Sequence, residues 1–153
     1  MNTADKSVSL LDIAIRRRFA FIATSPHPDF MNWGRGLVKE VGGVQLHVLL
    51  TRLHDRLFKV GVLPDRFIGH SLLWLRRHPE LDGGATIVAI AEHFRLDIIP
   101  LVEEYCFSNR SQMKLVLGKL VDDRGQPRVF DGDSDVPFLE ALREICEGKA
   151  GSP

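Results

Sequence analysis

Val44-Gln45-Leu46-His47-Val48-Leu49-Leu50-Thr51-Arg52-Leu53-His54-Asp55-Arg56-Leu57-Phe58-Lys59-Val60 carries the periodicity that decides the fold. Leu46, Leu49, Leu50, Leu53, Leu57 and Val60 recur at helical spacing and form one apolar stripe. Arg52, Asp55, Arg56 and Lys59 lie elsewhere on the wheel. The segment Val44 to Val60 therefore reads as a helix. Gly61 ends it, and Pro64 bars its continuation.

The same periodicity repeats toward the C-terminus. From Ala85, the residues Ile87, Val88, Ile90, Ala91 and Phe94 predict an amphipathic helix. Asp97 is placed to cap the next one, with Pro100 tolerated in its first turn and Leu101, Val102 and Tyr105 facing inward. Asn109 followed by Gln112 resembles a capping box for a helix bearing Met113, Val116, Leu117 and Leu120. Asp122 to Asp135 is polar, with Gly125-Gln126-Pro127 as a turn. A last helix, Val136 to Glu147, buries Phe138, Leu142 and Ile145. Pro79 to Gly84 reads as a turn, and residues 148–153 as a disordered tail.

Toward the N-terminus the pattern weakens. Phe30, Trp33, Leu37 and Val41 sit at helical spacing, but Gly34, Gly36, Gly42 and Gly43 interrupt them, which predicts an imperfect surface helix. Gly34-Arg35-Gly36 is no phosphate loop, since it follows no strand and lacks the third glycine and the lysine. Phe19 to Thr24 alternates weakly as a short strand, closed by Pro26 and Pro28. Ser7 or Ser9 can cap a helix from about Leu10 to Arg17, ending in Arg16-Arg17-Arg18. A strand needs a sheet to join, and the chain offers few other candidates.

Composition narrows the function classes. The chain has 153 residues, with a hydrophobic share of 44%, a charged share of 26% and a formal net charge of +0. These values are ordinary for one globular domain and provide no whole-chain field favouring nucleic acid or an acidic membrane surface. Basic character is local, in Arg16-Arg17-Arg18 and Arg76-Arg77-His78. The sequence shows neither a signal-peptide layout nor a membrane-spanning apolar run, which predicts a cytoplasmic protein with no membrane partner. Cys106 and Cys146 are too few for a structural zinc site and read as free thiols.

The six histidines do not fall into metal-ligand spacing, so no metal site is predicted. Glu103-Glu104 and Asp122-Asp123 read as solvated faces. Gly69-His70-Ser71, set against the apolar run Leu72-Leu73-Trp74-Leu75, is unusual for a linker. Taken by itself it reads as a satisfied core histidine and a helix-capping serine. Asn2-Thr3-Ala4-Asp5 admits more than one reading. It can be a polar loop cap, or an asparagine that positions water beside a terminal phosphate. It also resembles the Asn-Lys-x-Asp guanine-reading motif of GTPases, with Thr in place of Lys. The neighbouring arginines suit phosphate, because a guanidinium is permanently charged and forks onto two oxygens.

Leu11-Asp12-x-Ala14-x-Arg16-Arg17-Arg18-Phe19 resembles the segment following sensor 1 in AAA+ NTPases. Met1-Asn2-Thr3-Ala4-Asp5-Lys6-Ser7 resembles, more narrowly, the methylcytosine-specific restriction NTPase family typified by McrB. The likeness continues at Phe67-Ile68-Gly69-His70-Ser71, at Ile98-Ile99-Pro100-Leu101-Val102-Glu103-Glu104-Tyr105 and at Val116-Leu117-Gly118, in the family's order. The resemblance implies that Asn2 is the sensor 1 residue that positions water, with Asp5 beside it. It implies that Arg17 and Arg18 reach a nucleotide held by a neighbouring ring subunit. Gly69, His70 and Ser71 would face that nucleotide from a helical lid.

The chain departs from the family in two places. It has no Gly-x-x-x-x-Gly-Lys-Ser/Thr, and no hydrophobic strand ending in Asp-Glu precedes Asn2. Met1 coincides with a methionine inside the family's sheet. The resemblance thus implies a mainly α chain: a remnant of an AAA+ α/β core at residues 1–24, then a lid of four to five helices at 25–147. Alone it is expected to hydrolyse nothing and to need no cofactor. GTP or ATP with Mg2+ would be used only in a motor completed by a core, or by ring subunits, supplying the phosphate loop and the Asp-Glu strand. A nuclease subunit is a possible further partner, and DNA would be engaged only indirectly. The competing expectation is a stand-alone helical module that binds a protein or nucleic acid.

Overall fold

The structure, a computed structural model, describes residues 18, 26–33, 35–75, 83–128 and 136–148. It is mainly α, as predicted. In chain order it contains α1 (Phe30–Trp33), the hairpin strands β1 (Glu40–Val41) and β2 (Val44–Gln45), α2 (Leu46–Lys59), α3 (Gly83–His93), α4 (Ile99–Tyr105), α5 (Arg110–Leu117) and α6 (Val136–Cys146). Short 3₁₀ turns occupy Pro64–Arg66, His70–Leu73 and Gly118–Leu120. Among the described residues no helix is long and apolar enough to cross a membrane.

The predicted central helix holds, starting two residues later. Leu46, Leu49, Leu50, Leu53 and Leu57 are fully buried. Each such burial stabilises by about 1.5–3 kcal/mol. This stripe packs α2 against α5 and α6. Gly61 has φ +91, and Val62 N donates to Leu57 O at 3.0 Å, so the helix ends in a left-handed cap.

Three predictions are corrected nearby. Val44 is not helical: it pairs with Val41 in an antiparallel hairpin. Gly42 and Gly43, read as interruptions of a surface helix, are the hairpin turn at φ +54 and +82. Two consecutive positive φ values select glycine over any other residue there. A Cβ on Gly42 would also meet Leu139 at 2.6 Å, so turn and core packing demand the same residue. Of the predicted surface helix only α1 remains. Arg56 is the third correction, for although it lies off the leucine stripe it is buried.

The predicted break at Asp97 is absent. His93, Ile98 and Ile99 are all helical, and α3 runs into α4 through a π-turn at Phe94–Ile98. The widened turn accommodates Pro100, which has no N–H to donate and whose ring would crowd the carbonyl four residues back. Asp97 is an exposed residue inside the helical run, its Oδ2 3.5 Å from His93 Nδ1. Phe94 and Ile98 turn inward, and Phe94 meets Phe138 of α6 edge-on at 5.8 Å.

The C-terminal predictions hold with small changes. Asn109 Oδ1 accepts from Gln112 N at 3.2 Å, one half of a capping box. Asn109 N itself donates to Cys106 O, so the reciprocal half is not formed. Met113, Val116, Leu117 and Leu120 are buried, as are Phe138, Leu142 and Ile145 on α6. Glu103 and Glu104 are exposed, as read. Asp122 does more than face solvent. Its Oδ1 accepts from Arg124 N and Gln126 N at 2.8 Å each and closes the turn that pairs Val121 with Pro127. Asp123 pairs with Lys114.

The predicted first helix, the Phe19–Thr24 strand, the Arg76-Arg77-His78 run and the tail beyond Gly148 lie outside the described residues.

Candidate functional site

The Gly69-His70-Ser71 segment is held in place from both ends. Ile68 is fully buried, and its carbonyl accepts from His54 Nε2 of α2 at 2.8 Å. That bond requires the Nε2–H tautomer of His54. The His54 ring also stacks on Phe67, with centroids 4.6 Å apart. On the far side Leu73 is fully buried and anchors the 3₁₀ turn. Between these anchors the backbone bonds Leu72 N to Gly69 O and Trp74 N to Ser71 O, each at 3.1 Å. The segment is fixed in position while Ser71 remains exposed.

Gly69 is extended, with φ −65 and ψ 135, and a Cβ there would meet only Ser71 Oγ at 3.5 Å. Neither backbone nor crowding requires glycine at this position. Ser71 lies inside the 3₁₀ turn, and no side-chain bond caps that turn, so the helix-capping reading of Ser71 is corrected.

His70 is the residue sequence reading misjudged most. It is partly buried rather than a satisfied core histidine: its Nδ1 is inaccessible to solvent and has no hydrogen-bond partner among the described residues. Its ring lies 5.1 Å from both Phe30 and Trp74. Phe30 in turn packs edge-on against Trp33 at 4.8 Å and His27 at 5.9 Å. Phe30, Trp33 and Trp74 are all substantially exposed, Trp33 at 70%. An imidazole nitrogen enclosed by apolar rings lacks water or a carbonyl to stabilise its charged form. Burial first, then the nearby His27, pushes the His70 pKa below 6.5. His54 is also pushed down, chiefly by burial, with its bond to Ile68 opposing.

The satisfied core histidine is thus His54, not His70. The aromatic surround of His70 was not anticipated either. Its signal was present as Phe30-x-x-Trp33 and His70-x-x-x-Trp74, but the long-range contact joining these two segments has no local periodicity.

Of the remaining predicted site residues, Arg18 is solvent-exposed. Asn2, Asp5 and Arg17 lie outside the described residues. Among the described residues no group of His, Cys, Asp or Glu is placed to hold a metal ion.

The chain is similar to the type IV methyl-directed restriction enzyme EcoKMcrB subunit of Escherichia coli (strain K12), with 33% identity over 130 residues. The match takes in 80% of this chain and 28% of that protein, so the chain spans just over a quarter of the relative's length. The similarity supports a McrB-like relationship. No family model matches the chain, and no solved structure matches it.

Proposed function

We propose that this chain is the sensor, arginine-finger and lid portion of a McrB-like AAA+ NTPase belonging to a DNA restriction system. The similarity to the McrB subunit across 80% of the chain is the observation that carries this reading. Asn2 would position the attacking water, with Asp5 beside it. Arg17 and Arg18 would reach the triphosphate of a neighbouring subunit, where a guanidinium stabilises the charge that develops in phosphoryl transfer. Gly69, His70 and Ser71 would meet the nucleotide from the lid. The exposure of Arg18 and the Nδ1 of His70, without a hydrogen-bond partner among the described residues, both suit these roles.

The phosphate loop and the Asp-Glu strand come from another polypeptide segment in this reading, so GTP or ATP with Mg2+ binds only in the completed motor. A nuclease subunit is the natural user of such a motor. The test measures turnover of GTP and ATP with magnesium, first by this chain and then by its complex with a McrB-like core that carries a phosphate loop. The chain by itself is expected to be inactive and the complex active. The double substitution Arg17→Ala, Arg18→Ala should lower turnover by about 10³-fold or more, the scale of an arginine finger. Turnover by the chain alone, or full activity of the double variant, would refute the assignment.

The exposed rings of Phe30, Trp33 and Trp74 favour the second reading, a helical interaction module, in one respect: they form a contiguous apolar patch. A partner retained equally well with and without any nucleotide-binding core would point to that module.

A further inference from the structure

Arg52, Asp55, Arg56 and Lys59 recur at helical spacing along one face of α2, and all four line a cavity of about 270 Å³ where α2 meets α5 and α6. The cavity carries three cations and one carboxylate. That carboxylate is already engaged, for Asp55 Oδ2 lies 3.5 Å from Arg52 Nη1. Val60, Leu115, Ile145 and Gly148 complete its lining.

Arg56 is the unusual member, since it is only 8% exposed. Its Nη1 donates to Val116 O at 3.3 Å and its Nη2 to Glu144 O at 3.2 Å. Both acceptors are neutral carbonyls. Glu144 is the nearest counter-charge, but its Oε2 is bonded to Lys119 at 2.9 Å. Among the described residues no carboxylate forms an ion pair with Arg56. A guanidinium has five N–H donors, and a buried one without a paired anion is a costly arrangement that an incoming anion would relieve. Its position is also secured. Gly118 has φ +57, and a Cβ there would come within 3.4 Å of Arg56 Nη1 and 3.2 Å of Glu144 Oε1.

We infer that this cavity binds a small organic oxyanion, its charged group held by Arg52, Arg56 and Lys59 and its apolar body seated on Val60, Leu115 and Ile145. The volume falls just below the usual range for small-molecule sites, which begins at about 300 Å³, and so limits the ligand to roughly one ring or a short chain. None of these residues belongs to the Gly69–Ser71 segment or to the first 18 positions. The inference therefore stands or falls independently of the NTPase assignment.

The experiment titrates the chain with phenyl phosphate, benzoate, inorganic phosphate and phenol at constant ionic strength, by calorimetry and by backbone amide NMR. Saturable binding of phenyl phosphate or benzoate is expected, with shifts centred on residues 52–60, 115 and 145. The better of the two identifies the charged group as phosphate or carboxylate. Phenol and inorganic phosphate, each lacking one half of the ligand, should bind at least about tenfold more weakly. Arg52 and Lys59 are exposed, so Arg52→Gln and Lys59→Gln should fold normally while each loosens binding by about tenfold, the loss of one charge-assisted contact. Three results would overturn the inference: no saturable binding of either organic anion, undiminished binding by both Arg52→Gln and Lys59→Gln, or inorganic phosphate binding as tightly as phenyl phosphate.

Discussion

His54 and the Gly69–Ser71 corner lie on either side of Ile68, and the two places treat an imidazole in opposite ways. His54 is almost fully buried, stacked on Phe67, and hydrogen-bonded to the Ile68 carbonyl. His70 is less buried, yet its enclosed nitrogen has no partner among the described residues, and its neighbours Phe30 and Trp74 are themselves exposed. Arg56 extends the first pattern, fixing two carbonyls from α5 and α6. His54 and Arg56 each bond to backbone carbonyls of neighbouring segments. At the His70 corner, a polar group is left open beside apolar surface. A buried polar atom without a partner is a cost that folding by itself does not explain, which marks this corner as a candidate ligand contact separate from the cation-lined cavity of α2.

The largest test of that contrast is Arg56→Ala. It removes the donor from two carbonyls and leaves a hole among α2, α5 and α6, and should destabilise the chain by about 2–4 kcal/mol in urea unfolding. A loss below 1 kcal/mol would mean that the guanidinium is not a structural clamp.

The histidine pair comes next. His54→Ala should cost about 2–3 kcal/mol, whereas His70→Phe, which removes only an unpartnered nitrogen among aromatic rings, should be neutral or stabilising by up to about 1 kcal/mol. Both side chains have folded-state pKa values below 6.5, chiefly through burial. The unfolded chain therefore binds protons more readily, and stability that is present above pH 6.5 is lost as pH falls through the folded values. Removing either histidine should flatten the stability profile below pH 6.5 in urea unfolding. An unchanged profile in both variants would show that neither imidazole is linked to folding.

The smallest effect is expected at Gly69→Ala. The backbone there is ordinary for any residue and the added methyl meets only Ser71 Oγ, so stability should change by less than about 0.5 kcal/mol. A larger change would show that glycine is needed for folding. An unchanged fold with a defective reconstituted motor would place the need in ligand contact.

Much of the framework was legible from residue order. The leucines of α2, the Asn109 cap and the buried faces of α5 and α6 are local patterns, repeated every three or four residues and set by the helix period itself. The Gly42-Gly43 turn was legible in principle, but glycine at helical spacing reads equally as a weak helix until strand pairing chooses between them. The π-turn was hidden because Asp97 followed by Pro100 matches a helix start, whereas the backbone stays helical through Phe94–Ile98, with Phe94 and Ile98 buried.

By itself, then, the sequence determined a mainly helical chain and the buried faces of α2, α5 and α6, and it marked the Gly69-His70-Ser71 segment as a candidate. The tertiary structure decided which histidine is satisfied, that Arg56 turns inward, and that Phe30 and Trp74 meet across His70. Those outcomes depend on contacts between residues far apart in the chain. Burial, and with it the strength of every charge and hydrogen bond, is a property of the packed assembly rather than of any one stretch.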